Sequence, residues 1–346
     1  MRKWLVVALA CLAMWPVRAA VAPFVEGDRV CFLGDSITRG GSYHTLIEMA
    51  YAMRYPERHI AWFNCGVGGD TARAIVGAAP FRLEVDVFAH RPTVVTVMLG
   101  MNDVDNACYQ PGADQQPDIA TRRAERLTQY ETAMKAIVRA CGEHGARVIL
   151  LTPSIYDEFA ECQRPALPGR GAAVGKCAEI VRRLAADAKC ELVDFHALMT
   201  SITDRERARD KAFSLIGLGA TGNDRVHPGA VGHRVMAHAF LAEQGFGTGE
   251  PNLSPAAGIV PFVDPPNTKV YDLLVQRRDV GSKLRDLATS RYGLAKQGKN
   301  ATDPKGYADL LAARPGNEAL IKLLADEPAL IARYDALSEE ARAAAR

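Results

Sequence analysis

Short, unbroken apolar runs recur along the first two thirds of the chain: Val30 to Leu33, Ile60 to Asn64, Val94 to Leu99, Val148 to Thr152 and Leu192 to Phe195. Each has the length of a strand, and none alternates cleanly between apolar and polar positions. A strand apolar at successive positions is covered on both faces, as in a parallel sheet packed between helices. The intervening segments supply those helices. Tyr43 to Arg54, Ile119 to Glu143, Ala172 to Lys189 and Gly229 to Gln244 carry helical periodicity. Within the longest, Leu127, Tyr130, Met134, Ile137 and Val138 repeat at helical spacing and are predicted to face the core. The alternation over residues 24–247 predicts one α/β domain.

The pattern changes after residue 247. Residues 248–267 hold five prolines and read as a linker, or as a strap over the core. Residues 268–346 are rich in Ala, Leu, Arg and Asp, with helical periodicity in Tyr271 to Leu287, Tyr307 to Ala313, Asn317 to Ala325 and Pro328 to Ala344. This C-terminal extension carries no recognisable chemistry. Docking on the first domain, dimerisation and partner binding all stay open for it, and the oligomeric state is undetermined.

At the other end, Arg2 and Lys3 precede the apolar stretch Trp4 to Trp15, followed by small residues up to Ala22. This is the pattern of a signal peptide over residues 1–19, with cleavage between 19 and 22. A lipid anchor at Cys11 fits less well, because the apolar run before it is very short. An exported protein, periplasmic or extracellular, is expected, with no stable membrane insertion. Lysine and arginine total 42 against 40 acidic residues, a balance that gives no reason to expect nucleic acid. Seven cysteines follow the leader, and an odd number leaves at least one unpaired within the chain. Cys162 and Cys177 bracket a Pro- and Gly-rich segment, where a disulfide is one option. Cys31 and Cys65 read as buried core thiols.

Candidate chemistry gathers where strands end. Gly34-Asp35-Ser36-Ile37-Thr38 follows the first apolar run directly, which delivers a serine to the carboxyl edge of a buried strand. After the second run comes Gly66-Val67-Gly68-Gly69-Asp70, whose glycines expose backbone amides. The third run ends in Gly100-Met101-Asn102-Asp103, with an amide side chain at the same edge. Late in the domain, Asp224-Arg225-Val226-His227-Pro228 sets an aspartate three residues before a histidine. Each block alone is ordinary turn chemistry. Together they supply a nucleophile, a base, an orienting carboxylate and donors for an oxyanion. Asp35 and Asp103 read as turn-closing carboxylates, no histidine spacing suggests a metal, and no cofactor is required.

In these four blocks and their order the chain resembles the SGNH hydrolases, the class that includes the GDSL esterases and lipases. The likeness runs from about residue 28 to 245, with Ile37 where leucine is usual. It implies a three-layer, flavodoxin-like α/β fold with a central parallel five-stranded sheet, to which this chain adds a mainly helical C-terminal extension. It also implies Ser36 as nucleophile, Asp224 and His227 as its partners, and Ser36, Gly69 and Asn102 as the oxyanion hole. The Gly-Gly-Ser-Tyr-His-Thr sequence after the nucleophile and the Gly-Val-Gly-Gly-Asp-Thr-Ala block look like exported bacterial esterases that deacetylate carbohydrates. The expected partner is a small-molecule or glycan ester. Asp35, Arg39, His44 and Arg225 are candidate substrate contacts, the arginines for an acidic sugar. Lipolytic esterase, lysophospholipase and thioesterase activities are the enzymatic alternatives. A non-catalytic carbohydrate-binding module on the same fold is the third reading.

Overall fold

The computed structural model describes residues 21–77, 81–162, 164–217, 224–256, 258–264, 267–295, 297–299, 301 and 303–346. The leader over residues 1–19 and Cys11 lie outside them. Five strands, β1 (Arg29–Gly34), β2 (Ala61–Gly66), β3 (Val94–Met98), β4 (Arg147–Leu151) and β5 (Glu191–Val193), form one parallel sheet in the order β2-β1-β3-β4-β5. β1 and β3 are buried almost throughout, which is why their sequences are apolar on both faces. The helices are α1 (Ser36–Arg39), α2 (Ser42–Arg54), α3 (Ala72–Gly77), α4 (Phe81–Asp86), α5 (Ile119–Glu143), α6 (Arg170–Ala188), α7 (Phe195–Arg207), α8 (Ala230–Glu243), α9 (Thr268–Ala295), α10 (Pro304–Ala312) and α11 (Glu318–Ala345). In α5, Tyr130, Met134 and Ile137 are buried and Leu127 and Val138 pack against the same core, as the spacing predicts.

The strand order reverses direction between β1 and β3, so the segments leaving their carboxyl ends diverge and open a crevice. Ser36 and Asn102 lie on those two segments. Gly34 and Gly66 stand opposite each other in the β1–β2 ladder. A Cβ on Gly34 would sit 2.2 Å from Thr38 Oγ1, and one on Gly66 would sit 2.2 Å from the Arg39 amide nitrogen. Only glycine at these two places lets α1 fold back against the strand ends.

Several expectations change in the structure. Pro328 does not divide the last helix, because α11 runs through it and lies against α9. The packed face of α11 outweighs the backbone hydrogen bond lost at the proline. The fifth strand ends at Val193, where Asp194 caps α7 by accepting from the Ala197 amide at 3.1 Å. Cys162 and Cys177 are both free thiols, Cys177 buried in the core and Cys162 half-buried, so the bridge between them is not formed. All seven described cysteines are free. Among the described residues no helix is long and apolar enough to cross a membrane.

The C-terminal helices dock on the α/β domain at its open sheet edge. β2 is an edge strand, and its unpaired carbonyls need donors. Tyr334 Oη donates to Trp62 O at 2.9 Å, Arg277 Nη2 to the same carbonyl at 3.5 Å, and Arg285 Nη1 to Asn64 O at 3.2 Å. Val270, Leu274 and Ala341 join the main hydrophobic core, while Leu287, Leu294, Tyr307 and Leu311 form a smaller one. Arg291 on α9 makes two parallel hydrogen bonds, 2.9 and 2.6 Å, to Glu327 on α11. The proline-rich segment is a strap tied to α8: Arg234 donates to Asn252, Ser254 and Ala256 carbonyls, and His238 donates to Gly249 O at 3.0 Å.

Candidate active site

The turn after β1 is a single helical turn that begins with Ser36. Asp35 caps it by accepting from the Ile37 amide at 3.0 Å. As the first residue of the turn, Ser36 has an amide with no helical acceptor behind it, and its side chain is half-buried rather than enclosed. Residues 191 positions later meet it. His227 Nε2 lies 2.8 Å from Ser36 Oγ, and His227 Nδ1 lies 2.6 Å from Asp224 Oδ2.

The loop holding that imidazole is closed on itself. Asp224 Oδ1 accepts from the backbone amides of Val226 and His227, both at 2.8 Å. Burial pushes the Asp224 carboxyl up, but the His227 amide, the His227 ring and the Val226 amide together hold it below the usual carboxylate range. It is therefore an anion facing Nδ1. That fixes the proton on Nδ1 and leaves Nε2 as the acceptor for the serine hydroxyl. Gly217 N donates to His227 O at 3.0 Å, which ties the loop to the end of the preceding segment.

The donor blocks border the same crevice. Gly69 adopts a left-handed backbone, φ +74°, with open space where a Cβ would be, so its peptide is exposed. Asn102 is half-buried, and its Nδ2 donates to Asp70 O at 3.0 Å. One of its two amide hydrogens thus ties the third-strand loop to the glycine turn. The other is not needed for that contact. Asp103 is buried and caps α3 through the Ala72 amide at 3.0 Å.

Two carboxylic acids sit behind this surface with raised pKa values. Asp35 is pushed to about 6 by burial, with the Ile37 amide and the charge of His227 pulling back. Asp103 is pushed to about 7 by burial, opposed by the Arg73 and Ala72 amides.

The four candidate substrate contacts all have protein partners. Asp35 is buried beneath the nucleophile turn as its cap. His44 is buried, stacked on Phe32 at 4.7 Å, and donates from Nε2 to Thr38 O at 3.3 Å. Burial lowers its pKa to about 3, so it is neutral. Arg39 pairs with Asp286 on α9. Arg225 is a loop clamp. Its Nη1 reaches Asp157, Glu158 and Ala160 carbonyls at 3.3, 2.8 and 2.7 Å, and its Nε reaches Arg164 O at 2.9 Å. Nη1 and Nε of Arg225 are thus committed to backbone oxygens of the loop. That loop carries Phe159, a large side chain left 76% exposed.

A further group of side chains escaped the sequence reading. Arg82, Asp86, Asp70 and Arg285 form a buried ionic chain beneath the glycine turn. The spacing of Arg82 and Asp86, four apart on α4, hints at their pair, but no local pattern joins them to a residue 199 positions away.

A strand-end serine, a late histidine and an aspartate in one hydrogen-bonded row, on a parallel sheet of this order, define a hydrolase of the SGNH type. The GDSL-like lipase/acylhydrolase family matches residues 32–235, well over half of the chain, and this protein belongs to that family. It is a carboxylic ester hydrolase. An acetylxylan esterase from Geobacillus stearothermophilus is 28% identical over 236 residues, which is 64% of this chain and 95% of that protein. The crystal structure of an acetylxylan esterase from the same organism covers 64% of this chain and 96% of its own, at 25% identity and a TM-score of 0.50. A gut microbial diltiazem-metabolizing enzyme covers 95% of this chain and 97% of its own, with a TM-score of 0.74 and 22% identity. The last likeness is one of fold, and it extends over the C-terminal helices.

Proposed function

We propose that this protein is an exported serine esterase that removes short acyl groups, acetyl above all, from carbohydrate. The observation that carries the chemistry is the row Ser36 Oγ, His227 Nε2, His227 Nδ1, Asp224 Oδ2, with links of 2.8 and 2.6 Å. Ser36 Oγ attacks the ester carbonyl while its proton passes to His227 Nε2. The imidazolium so formed is stabilised by the Asp224 anion. Negative charge collects on the former carbonyl oxygen, toward which the Ser36 and Gly69 amides and the Asn102 side chain supply donors. Collapse breaks the ester C–O bond, and His227 returns the proton to the departing sugar oxygen. Water then repeats the sequence on the acyl-serine, releasing the carboxylic acid and restoring the Ser36 hydroxyl.

The carbohydrate reading is supported by the acetylxylan esterase likeness over 64% of this chain. It is also supported by Phe159, an aromatic ring offered to solvent from a loop clamped beside His227, where a sugar face can stack. Export rests on the Arg2-Lys3 start and the apolar stretch Trp4 to Trp15.

Three measurements test these claims in turn. A fluorophosphonate probe is expected to label wild type and not Ser36→Ala; equal labelling refutes the nucleophile. Acetate release from acetylated xylan, with p-nitrophenyl acetate preferred over p-nitrophenyl octanoate, is expected. A rise in rate toward long acyl chains with no acetate released makes the enzyme lipolytic instead. Amino-terminal sequencing of the protein recovered from the periplasm or medium is expected to begin between residues 20 and 23.

A further inference from the structure

The C-terminal helices touch the catalytic surface from below. From α9, Arg285 makes a two-point ion pair with Asp86 at the end of α4 and donates to Asn64 O at 3.2 Å. Asp86 is shared with Arg82, which in turn holds Asp70 through Nε to Oδ2 at 3.2 Å and donates to Cys65 O. Asp70 closes the glycine turn, its amide donating to Val67 O at 3.1 Å. Its carbonyl accepts from Asn102 Nδ2 at 3.0 Å. One continuous path therefore runs from a helix outside the α/β domain to both oxyanion donor blocks.

Burial makes this path stiff. Arg82 is completely buried, and Arg285, Asp86 and Asp70 are 4–5% exposed. Two guanidinium groups alternate with two carboxylates, so the charges balance and each ion is held by bonds of defined direction. The second contact from α9 is Arg39–Asp286, one residue along the helix, and Asn64 Nδ2 fastens the Arg39 carbonyl at 3.0 Å. Arg39 ends the turn that begins with Ser36. Adjacent residues of α9 thus grip the nucleophile turn and the glycine turn.

We propose that Arg285 is a positioning residue of the esterase, acting through Asp86, Arg82 and Asp70 to fix the Gly69 amide and the Asn102 side chain as oxyanion donors. The C-terminal extension is on this view a working part of the active site. The inference rests on the catalytic reading above. Moving a donor by about 1 Å costs on the order of a hundredfold in rate, so small adjustments beneath the turn suffice.

The test compares Arg285→Met and Arg285→Lys with wild type, using p-nitrophenyl acetate and counting folded sites by fluorophosphonate titration. For Met, kcat per titrated site is expected to fall about 10- to 100-fold with KM within about threefold, and Lys is expected to recover part of the loss. Combined with Asn102→Ala, the losses are expected to fall well short of their product, because both changes damage the same donor set. Unchanged kcat per titrated site, or losses that multiply in full, overturns the proposal. If the Met variant does not fold, the Lys variant carries the same comparison. A readout free of turnover separates this inference from the function it rests on. With 15N-asparagine and 15N-glycine labels, the Asn102 side-chain and Gly69 amide signals are expected to move in Arg285→Lys, and static signals there overturn the proposal even in an active enzyme. If wild type proves inactive and those signals still move, the positioning stands and the esterase reading falls.

Discussion

Asp224→Asn is the most informative single change, because the structure dictates which way the new amide must point. In the native loop, Oδ1 accepts two backbone amides at 2.8 Å while Oδ2 accepts the imidazole Nδ1–H at 2.6 Å. Asparagine has only one acceptor oxygen, and the two backbone donors claim it. Turning the amide over would set its NH2 group against two N–H donors, losing about 2 to 3 kcal/mol of hydrogen bonding at a largely buried site. The amide nitrogen therefore faces Nδ1 and can only donate to it. The imidazole must place its proton on Nε2, and that nitrogen then donates to Ser36 Oγ instead of accepting from it. The nucleophile is intact but has no base. The expected loss in kcat is about ten-thousandfold, near 5.5 kcal/mol, the size seen when a triad histidine is held in the wrong tautomer. The assay is p-nitrophenyl acetate hydrolysis per folded molecule, with the loop geometry checked by an unchanged melting temperature. A rate within tenfold of wild type would refute the tautomer argument.

Three further outcomes follow from other parts of the structure. Asn102→Ala removes a proposed oxyanion donor and also the tie to Asp70 O, so kcat is expected to drop about a hundred- to a thousandfold with KM little changed, and a pure KM effect would contradict the role. Asp103 has a folded-state pKa of about 7 against about 3.9 unfolded, so the folded protein holds the extra proton between those values. Its contribution to stability is complete below about pH 4 and is lost as pH rises to about 7, by up to about 4 kcal/mol. Asp103→Asn cannot lose that proton, so denaturation of the two proteins at pH 4 and pH 8 should show the variant gaining on wild type, and a constant difference would refute the shift. Arg225→Met strips the donors from four backbone carbonyls of residues 157–164, and a loss of about 2 kcal/mol in denaturant melts is expected.

Much of the candidate site is legible in the sequence. Ser36, Gly69 and Asn102 occur in short blocks just beyond strand ends, which are readable because a strand buried on both faces needs an unbroken apolar run, and the Asp224–His227 pair occurs as a short block just before α8. Local chemistry of this kind is written in adjacent residues. The partners of the candidate substrate contacts are not legible in this way. Arg39 and Arg225 lie near Ser36 and His227 in sequence, yet a guanidinium reaches far enough to find partners in other segments. Arg225 is taken by the carbonyls of a loop more than sixty positions away, and Arg39 by Asp286.

The sequence alone determined the alternation of strand and helix, the glycines at crowded strand ends and the order of the four motif blocks, since each depends on periodicity or on neighbours a few positions apart. Tertiary structure decided that His227 meets Ser36, that Pro328 leaves α11 whole, and that Arg285 reaches Asp86 and so stands beneath the glycine turn. The two long-range contacts join groups nearly two hundred positions apart. Only the folded chain settles that, because a desolvated charge accepts whichever partner the packing brings within reach.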